Sequence, residues 1–356
     1  LCPASTGNER LISNLNKPLN LDMQPIAVLG AGSWGTALAI HLANNGHAVK
    51  LWGHNPKQIE HLDVDRENAK YLPGVPFPNL LSSTASLEQA LSGAELILIA
   101  VPSHAFRDLI LKIKPLLKPN ARIAWATKGL ELETGHLLHN VIAEILGPST
   151  PSAVLSGPSF ALEVAHGQPT AITMASASEA FATDLVALFH STHFRPYSSQ
   201  DIIGVQLGGA IKNVLAIAAG LAEGLGFGAN ARAALITRGL SEMIRLGTAL
   251  GGRPETLMGL SGVGDLILTC TDNQSRNRRF GLGLGEGKER QMIVDEIGQE
   301  IEGIPTALTI HKLAEEYGIE MPITQQVYRI LYENLPPAEA VANLLLREPK
   351  AEVAAH

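Results

Sequence analysis

Lys212 is a lone cation at the head of Ile211-Lys212-Asn213-Val214-Leu215-Ala216-Ile217-Ala218-Ala219-Gly220, a stretch with the composition of a buried helix. An ammonium taken out of water either gives up its proton or finds an anion. Both properties suit a group that exchanges a proton with a substrate near neutral pH. The bland alternative is a lysine at the helix edge with its ammonium in solvent. Other residues could act with it. Lys128 lies in Thr127-Lys128-Gly129-Leu130, where a neighbouring cation would depress the pKa of Lys212. Asp265 stands in Ser261-Gly262-Val263-Gly264-Asp265-Leu266-Ile267-Leu268, and a carboxylate before Leu-Ile-Leu is also a good helix N-cap. Arg276, Arg278 and Arg279, beside Ser275 and Asn277, offer the guanidinium fork and neutral donors that suit a phosphate. Spacing alone does not choose among the three arginines.

These residues need a scaffold, and the chain supplies one. Ile26-Ala27-Val28-Leu29 leads into Gly30-Ala31-Gly32-Ser33-Trp34-Gly35 and then Thr36-Ala37-Leu38-Ala39-Ile40-His41-Leu42-Ala43, which reads as strand, glycine turn, helix. Gly30 permits the tight turn, Gly32 lets backbone N–H groups approach a pyrophosphate, and Gly35 lets the helix lie close on the sheet. A second strand at Ala48-Val49-Lys50-Leu51-Trp52 completes the βαβ unit that a dinucleotide fingerprint requires. Gly30, Gly32, Ser33, Trp34 and Gly35 are therefore assigned to the cofactor. At the end of the second strand a carboxylate would bond the ribose 2′-hydroxyl and repel a 2′-phosphate, but this chain has Gly53-His54-Asn55. With His54 and Lys57 at hand, NADP(H) should be accepted, and nothing there repels NAD(H).

Further strands are predicted at Glu95-Leu96-Ile97-Leu98-Ile99-Ala100-Val101, Arg122-Ile123-Ala124-Trp125-Ala126 and Ala153-Val154-Leu155-Ser156. Ligands in open parallel sheets bind beyond the carboxyl ends of the strands. Val101-Pro102-Ser103-His104, Thr127-Lys128-Gly129-Leu130 and Ser156-Gly157-Pro158-Ser159-Phe160-Ala161 should therefore converge on one cleft. After Gln200 helix-length segments take over, with a first long helix over Ile202 to Ala222. The expected architecture is an α/β Rossmann-type dinucleotide-binding domain over 23–203, then an all-helical substrate domain over 204–345 and a tail, 346–356. Residues 1–22, polar and turn-rich, read as a disordered leader or expression remnant, with Met23 as the natural start. The segment Gly224 to Asn230 reads as a mobile loop or tight turn.

At 356 residues with a formal charge of −7 and no basic run, the chain does not look like a nucleic-acid binder. No uninterrupted apolar segment approaches the ~18 residues of a membrane span. Cys2 and Cys270 make no metal-ligand spacing and fit a reducing cytoplasm; Cys270, inside an apolar run, is expected to be inert. The Ala- and Gly-rich helical segments offer packing surfaces, and a homodimer is the expected assembly.

GAGSWGTALA, ATKGLE, SGPSFA, GAIKNVLAIAAG, LSGVGDLILTC and SRNRRFG occur together and in order, and in this the chain resembles the bacterial NAD(P)-dependent glycerol-3-phosphate dehydrogenases from about Pro25 to Tyr332. The resemblance implies interconversion of sn-glycerol 3-phosphate and dihydroxyacetone phosphate, feeding phospholipid synthesis. It implies that Lys212 is the acid/base, that Lys128 polarises the reacting oxygen, and that Asp265 contacts substrate or orients Lys212. Gly157, Ser159, Ser275, Arg276 and Asn277 would complete the substrate pocket. Lys128, Ala161, Arg276, Glu300 and Glu302 would face the cofactor, Glu302 by its side chain and Glu300 where the family often contacts through backbone. Two rival readings are a related two-domain dehydrogenase of a sugar acid or β-hydroxyacid, and a dinucleotide-binding protein without catalysis. A sugar-nucleotide dehydrogenase would need a cysteine nucleophile, for which only Cys270 stands within the matching segment.

Overall fold

The computed structural model describes residues 25–348. The leader, Met23 and the last eight residues of the tail lie outside the described residues. The strands are β1 (Ile26–Leu29), β2 (Val49–Trp52), β3 (Glu67–Asn68), β4 (Leu72–Pro76), β5 (Leu81–Thr84), β6 (Leu96–Ile99), β7 (Arg122–Trp125), β8 (Ser152–Ser156), β9 (Thr170–Ser176) and β10 (Phe194–Ser199). Eight of them form one sheet in the order β10-β9-β8-β7-β6-β1-β2-β5, while β3 and β4 make a separate antiparallel hairpin. The near-continuous apolar runs reflect burial on both faces. Ile26 and Val28 of β1 pack with Leu96 and Leu98 of β6 on one side of the sheet, and Ala27, Leu29, Ile97 and Ile99 on the other.

The chain builds outward from β1 to β2 and β5, then returns to lay β6 against the other edge of β1. That reversal opens a crevice at the carboxyl ends of β1 and β6, where an open α/β sheet binds ligands. The sheet is not parallel throughout: β9 runs antiparallel to β8. After β8 the chain stays at the carboxyl end to form the Ser156 to Ala161 loop and the short Ala161–Ala165 helix, so the next strand must run back.

Between residues 200 and 348 no strand occurs among the described residues. The long helix runs Ile202–Gly224, two residues beyond the expected end, and a division between 203 and 204 would fall inside its first turn. Asp201 sets its start: Oδ1 accepts from Gly204 N at 2.8 Å and Oδ2 from Arg253 N at 2.7 Å. The helix is long and apolar enough to cross a bilayer, yet 94% of its apolar 18-residue window is buried inside the protein. Arg276–Gly285 crosses it most closely. A Cβ on Gly220 or Gly281 would overlap the opposing backbone carbonyl, so these glycines let the two helices touch. The segment after Gly224 is a tight turn, with Gly226 at φ 87°, and Ala229 already opens the next helix, Ala229–Ala249.

Glu242 shows how this helical core satisfies its helix ends. Its buried carboxylate accepts from Ile323 N (2.6 Å), Thr324 N (3.1 Å) and Thr324 Oγ1 (2.9 Å), capping Pro322–Tyr332, and burial pushes its carboxyl above the ordinary range. Glu242→Ala should destabilise the protein by about 2 kcal/mol, the cost of orphaned buried donors, and Glu242→Gln by less. Denaturant unfolding of the two variants beside the parent checks this ordering.

Candidate active site

A cavity of about 1110 Å³ runs from the glycine turn to the long helix, between the sheet and the helical region. The three strand-end motifs do converge there: Val101, Pro102, His104, Thr127, Lys128, Ser159, Phe160 and Ala161 all line it. At its β1 end, Gly30 has φ 127° and a Cβ there would stand 2.5 Å from the Ala100 carbonyl oxygen; only glycine fits. Gly35 lies where a Cβ would overlap the Gly30 carbonyl, whereas nothing approaches within 4 Å of a Cβ built on Gly32. The turn is thus packed from behind and open in front, at the N-terminus of Ser33–Asn44, the shape and polarity that a pyrophosphate requires.

The turn is also held from the side. The Ala31 carbonyl accepts from Gln58 Nε2 (2.8 Å) and from buried Asn68 Nδ2 (3.1 Å), which also donates to Thr36 Oγ1 (2.8 Å). Neither amide stands out in the sequence, because each reaches the turn only through the fold. His54 lines the cavity but Lys57 does not. Lys57 contributes its backbone N–H, with that of Gln58, to the Asn55 cap of Pro56–Asp65.

At the other end lies a chain of charged groups. Lys212, 6% exposed, donates from Nζ to Asp265 Oδ1 at 2.6 Å and to Thr269 Oγ1 at 2.8 Å. Lys128 Nζ donates to the second oxygen, Asp265 Oδ2, at 2.7 Å and to the Gly157 carbonyl at 3.0 Å. One carboxylate, 1% exposed, thus bridges two ammonium groups that both reach the cavity wall. Burial brings the Lys212 pKa down to about 8, and the Lys128 charge adds to this, while the Asp265 carboxylate opposes both. The expected N-cap role of Asp265 does not hold. Its side chain is committed to the lysines, and Asp265–Thr271 starts with no side-chain cap. Thr269 is a member of this site that the sequence reading missed. Its position four residues after Asp265, on the same helical face, is the signal that could have found it.

The arginines separate. Arg278 is buried and pairs with Glu223 at 2.6 Å and with Asn273, away from the cavity. Arg276 and Arg279 line the cavity. Burial lowers the Arg276 pKa, with the Glu302 and Glu300 charges opposing. Ser275 caps Arg276–Gly285 through Arg278 N while facing the cavity. Asn277 also faces it, but its amide already joins Asn213 Oδ1 (2.9 Å) to Gly303 N (2.9 Å), which ties three helices together. Gly157 stays off the wall; its φ of 152° and the backbone of Ile172 exclude a side chain there, and it acts through its carbonyl on Lys128. Ser159 Oγ donates to the same carbonyl at 3.0 Å. Glu302 accepts from Ser103 N (3.1 Å) and Ser103 Oγ (2.8 Å), tying the helical region to the end of β6, and burial raises its pKa. Glu300 is more exposed and sits 3.9 Å from His104 Nδ1. Cys270 is fully buried with its thiol pushed up to about 12, as an inert cysteine should be.

The family profile described as NAD-dependent glycerol-3-phosphate dehydrogenase N-terminus matches residues 25–182, and that described as the C-terminus matches 201–342. A glycerol-3-phosphate dehydrogenase, NAD(P)+, of Methylococcus capsulatus is 60% identical over 328 residues, covering 92% of this chain and 98% of that protein. The enzyme of that name from Citrobacter koseri is 55% identical over 339 residues, 95% of this chain and 100% of its own. The crystal structure of a glycerol-3-phosphate dehydrogenase from Coxiella burnetii superposes with a TM-score of 0.89 at 52% identity, over 91% of this chain and 99% of that one. A ketopantoate reductase from Ralstonia eutropha, at 18% identity and a TM-score of 0.56, shares the fold alone.

Proposed function

The chain belongs to the NAD-dependent glycerol-3-phosphate dehydrogenase family and uses NAD(P)H, and from that premise we propose that Lys212 is the proton-transfer group in interconverting sn-glycerol 3-phosphate and dihydroxyacetone phosphate. The observation that carries the assignment is the Lys212–Asp265–Lys128 chain on the cavity wall. A nicotinamide cofactor held along the cavity from the glycine turn would supply the hydride chemistry at C2. In reduction, the Lys212 ammonium gives its proton to the C2 oxygen as negative charge develops there, and Lys128 stabilises that charge. In oxidation neutral Lys212 takes the hydroxyl proton back. A pKa of about 8 lets one group serve both directions near neutrality.

The glycine turn, Ser33, Trp34 and His54 hold the cofactor in this reading, with Ala161, Glu300 and Glu302 along its length. The lack of a carboxylate at the end of β2 supports use of NADPH without excluding NADH. Arg276 takes the substrate phosphate with Ser275, Asn277 and Ser159 around it. The product glycerol 3-phosphate then serves phospholipid synthesis. The test is NADPH oxidation with dihydroxyacetone phosphate beside ketopantoate as rival carbonyl. Turnover of the first alone supports the reading, and preference for the second overturns it. Within it, Arg276→Ala should raise the KM for dihydroxyacetone phosphate roughly a hundredfold, the scale of a lost charge-assisted fork. Arg278→Ala should instead lower stability with a smaller effect on KM, since Arg278 is paired with Glu223.

A further inference from the structure

Ahead of Asp265–Thr271 the chain makes one π-helical turn, Leu260–Gly264, in which Gly264 N donates to the Gly259 carbonyl five residues back at 3.1 Å. The turn follows Gly259, whose backbone is extended, and opens the helix; it holds one residue more than an α turn, so the side chains beyond it are rotated by about 100° from where an α turn docked at the same place would put them. The turn is seated on the long helix. Gly204, Gly208 and Lys212 follow one another at four-residue spacing and share a face. A Cβ on Gly208 would overlap the Ser261 carbonyl oxygen and stand 3.2 Å from Gly262 Cα. Both are backbone atoms with no freedom to swing aside. A Cβ on Gly262 would in turn overlap the Leu257 carbonyl, so the turn is fixed on its far side too. One helical turn beyond Gly208, Lys212 meets Asp265 and Thr269.

We infer that Gly208 and the extra residue of the π turn are a positioning device: the turn docks on bare helix backbone at 208 and so aims the Asp265 carboxylate between Lys212 and Lys128. The inference rests on the assignment of Lys212 made above. Lys212 is faced by Asp265 and the Cys270 thiol from the Asp265–Thr271 helix and by Lys128 from the loop after β7; the thiol stays neutral. Asp265 is the member of this set that favours the ammonium. Withdrawing its carboxylate lowers the pKa of Lys212, and reduction, which consumes the ammonium, then fails at a lower pH.

Two variants disturb the device from different directions. Deleting Val263 converts the π turn to an α turn, and Gly208→Ala pushes the turn off the helix. Both are expected to lose roughly tenfold or more in kcat/KM for dihydroxyacetone phosphate, within the range of a misplaced acid/base. In both, the alkaline limb of the pH profile should move to lower pH, as in Asp265→Asn, with NADPH binding by fluorescence retained. Gly204→Ala is the control on the same face. The three atoms nearest its Cβ are side-chain atoms of Asp201 and Thr256, eight residues before Lys212 on the helix, so any loss there falls on the Asp201 cap and its limb should stay in place. An unmoved limb in the variants that bind NADPH, or an unchanged rate, overturns the device. If Gly208→Ala loses NADPH binding, the Val263 deletion decides the matter. Failure of the underlying assignment shows separately, as full activity of Lys212→Ala.

Discussion

Lys212→Ala is expected to lower kcat for dihydroxyacetone phosphate reduction by about three orders of magnitude, within the range that a positioned acid/base contributes. NADPH affinity should change little, because the glycine turn and its supports lie at the far end of the cavity. The substitution removes the Lys212 donor from Asp265 Oδ1 and Thr269 Oγ1, but Thr269 Oγ1 keeps its bond to the Asp265 carbonyl at 2.6 Å and Lys128 still neutralises the carboxylate, so the fold survives. The parent's pH dependence follows from the same group. With Lys212 as the proposed proton donor in reduction, kcat/KM for dihydroxyacetone phosphate should fall as pH rises through about 8, and kcat/KM for glycerol 3-phosphate oxidation should rise over the same interval. Stopped assays in both directions with NADPH titrations check all of this. A Lys212→Ala enzyme that turns over at the parental rate removes the lysine from the chemistry.

Asp265→Asn is expected to have the second largest effect. The carboxylate accepts from both lysines; the isosteric amide offers one oxygen and turns an NH₂ toward the other ammonium. Breaking a buried ion pair by removing one partner costs about 3–5 kcal/mol if the remaining charge is kept. Here Lys212 can escape part of that cost by losing its proton. Its pKa therefore falls below about 8, the alkaline limb of reduction moves to lower pH, and kcat drops by about a hundredfold as Lys212 loses both its charge and its aim. The same logic gives the stability sign: the variant should lose most stability at low pH, where Lys212 is forced to be charged, and recover as pH rises. Thermal unfolding at several pH values measures this, and a uniform loss across pH would count against the ion-pair account.

Much of this protein is legible in local sequence because the relevant physics is local. A glycine at φ 127° between a strand and a helix, with a second glycine facing open space, is encoded within six residues, and the alternation of strand and helix patterns follows from which faces are buried. An isolated lysine in an apolar helix announces itself for the same reason: its desolvation is set by its immediate neighbours in the chain. The family resemblance then supplied roles that spacing could not.

Other features depended on segments far apart in the chain. Asp265 lies 53 residues from Lys212 and 137 from Lys128, and its local sequence favoured a cap; the docked π turn commits it to the two lysines instead. Spacing could not separate three arginines of equal chemistry; the pairing of Arg278 with Glu223 and Asn273 takes that one out of the cavity. Gln58 and Asn68 on the glycine turn, Glu302 on Ser103, and the antiparallel β9 likewise carry no local signal. Sequence by itself determined which elements form and which charges are out of place, since both depend on backbone preference and burial pattern. Only the tertiary structure decided which charge answers which, because a buried ion pair depends on distances of a few ångströms between segments whose separation in the chain says nothing about them.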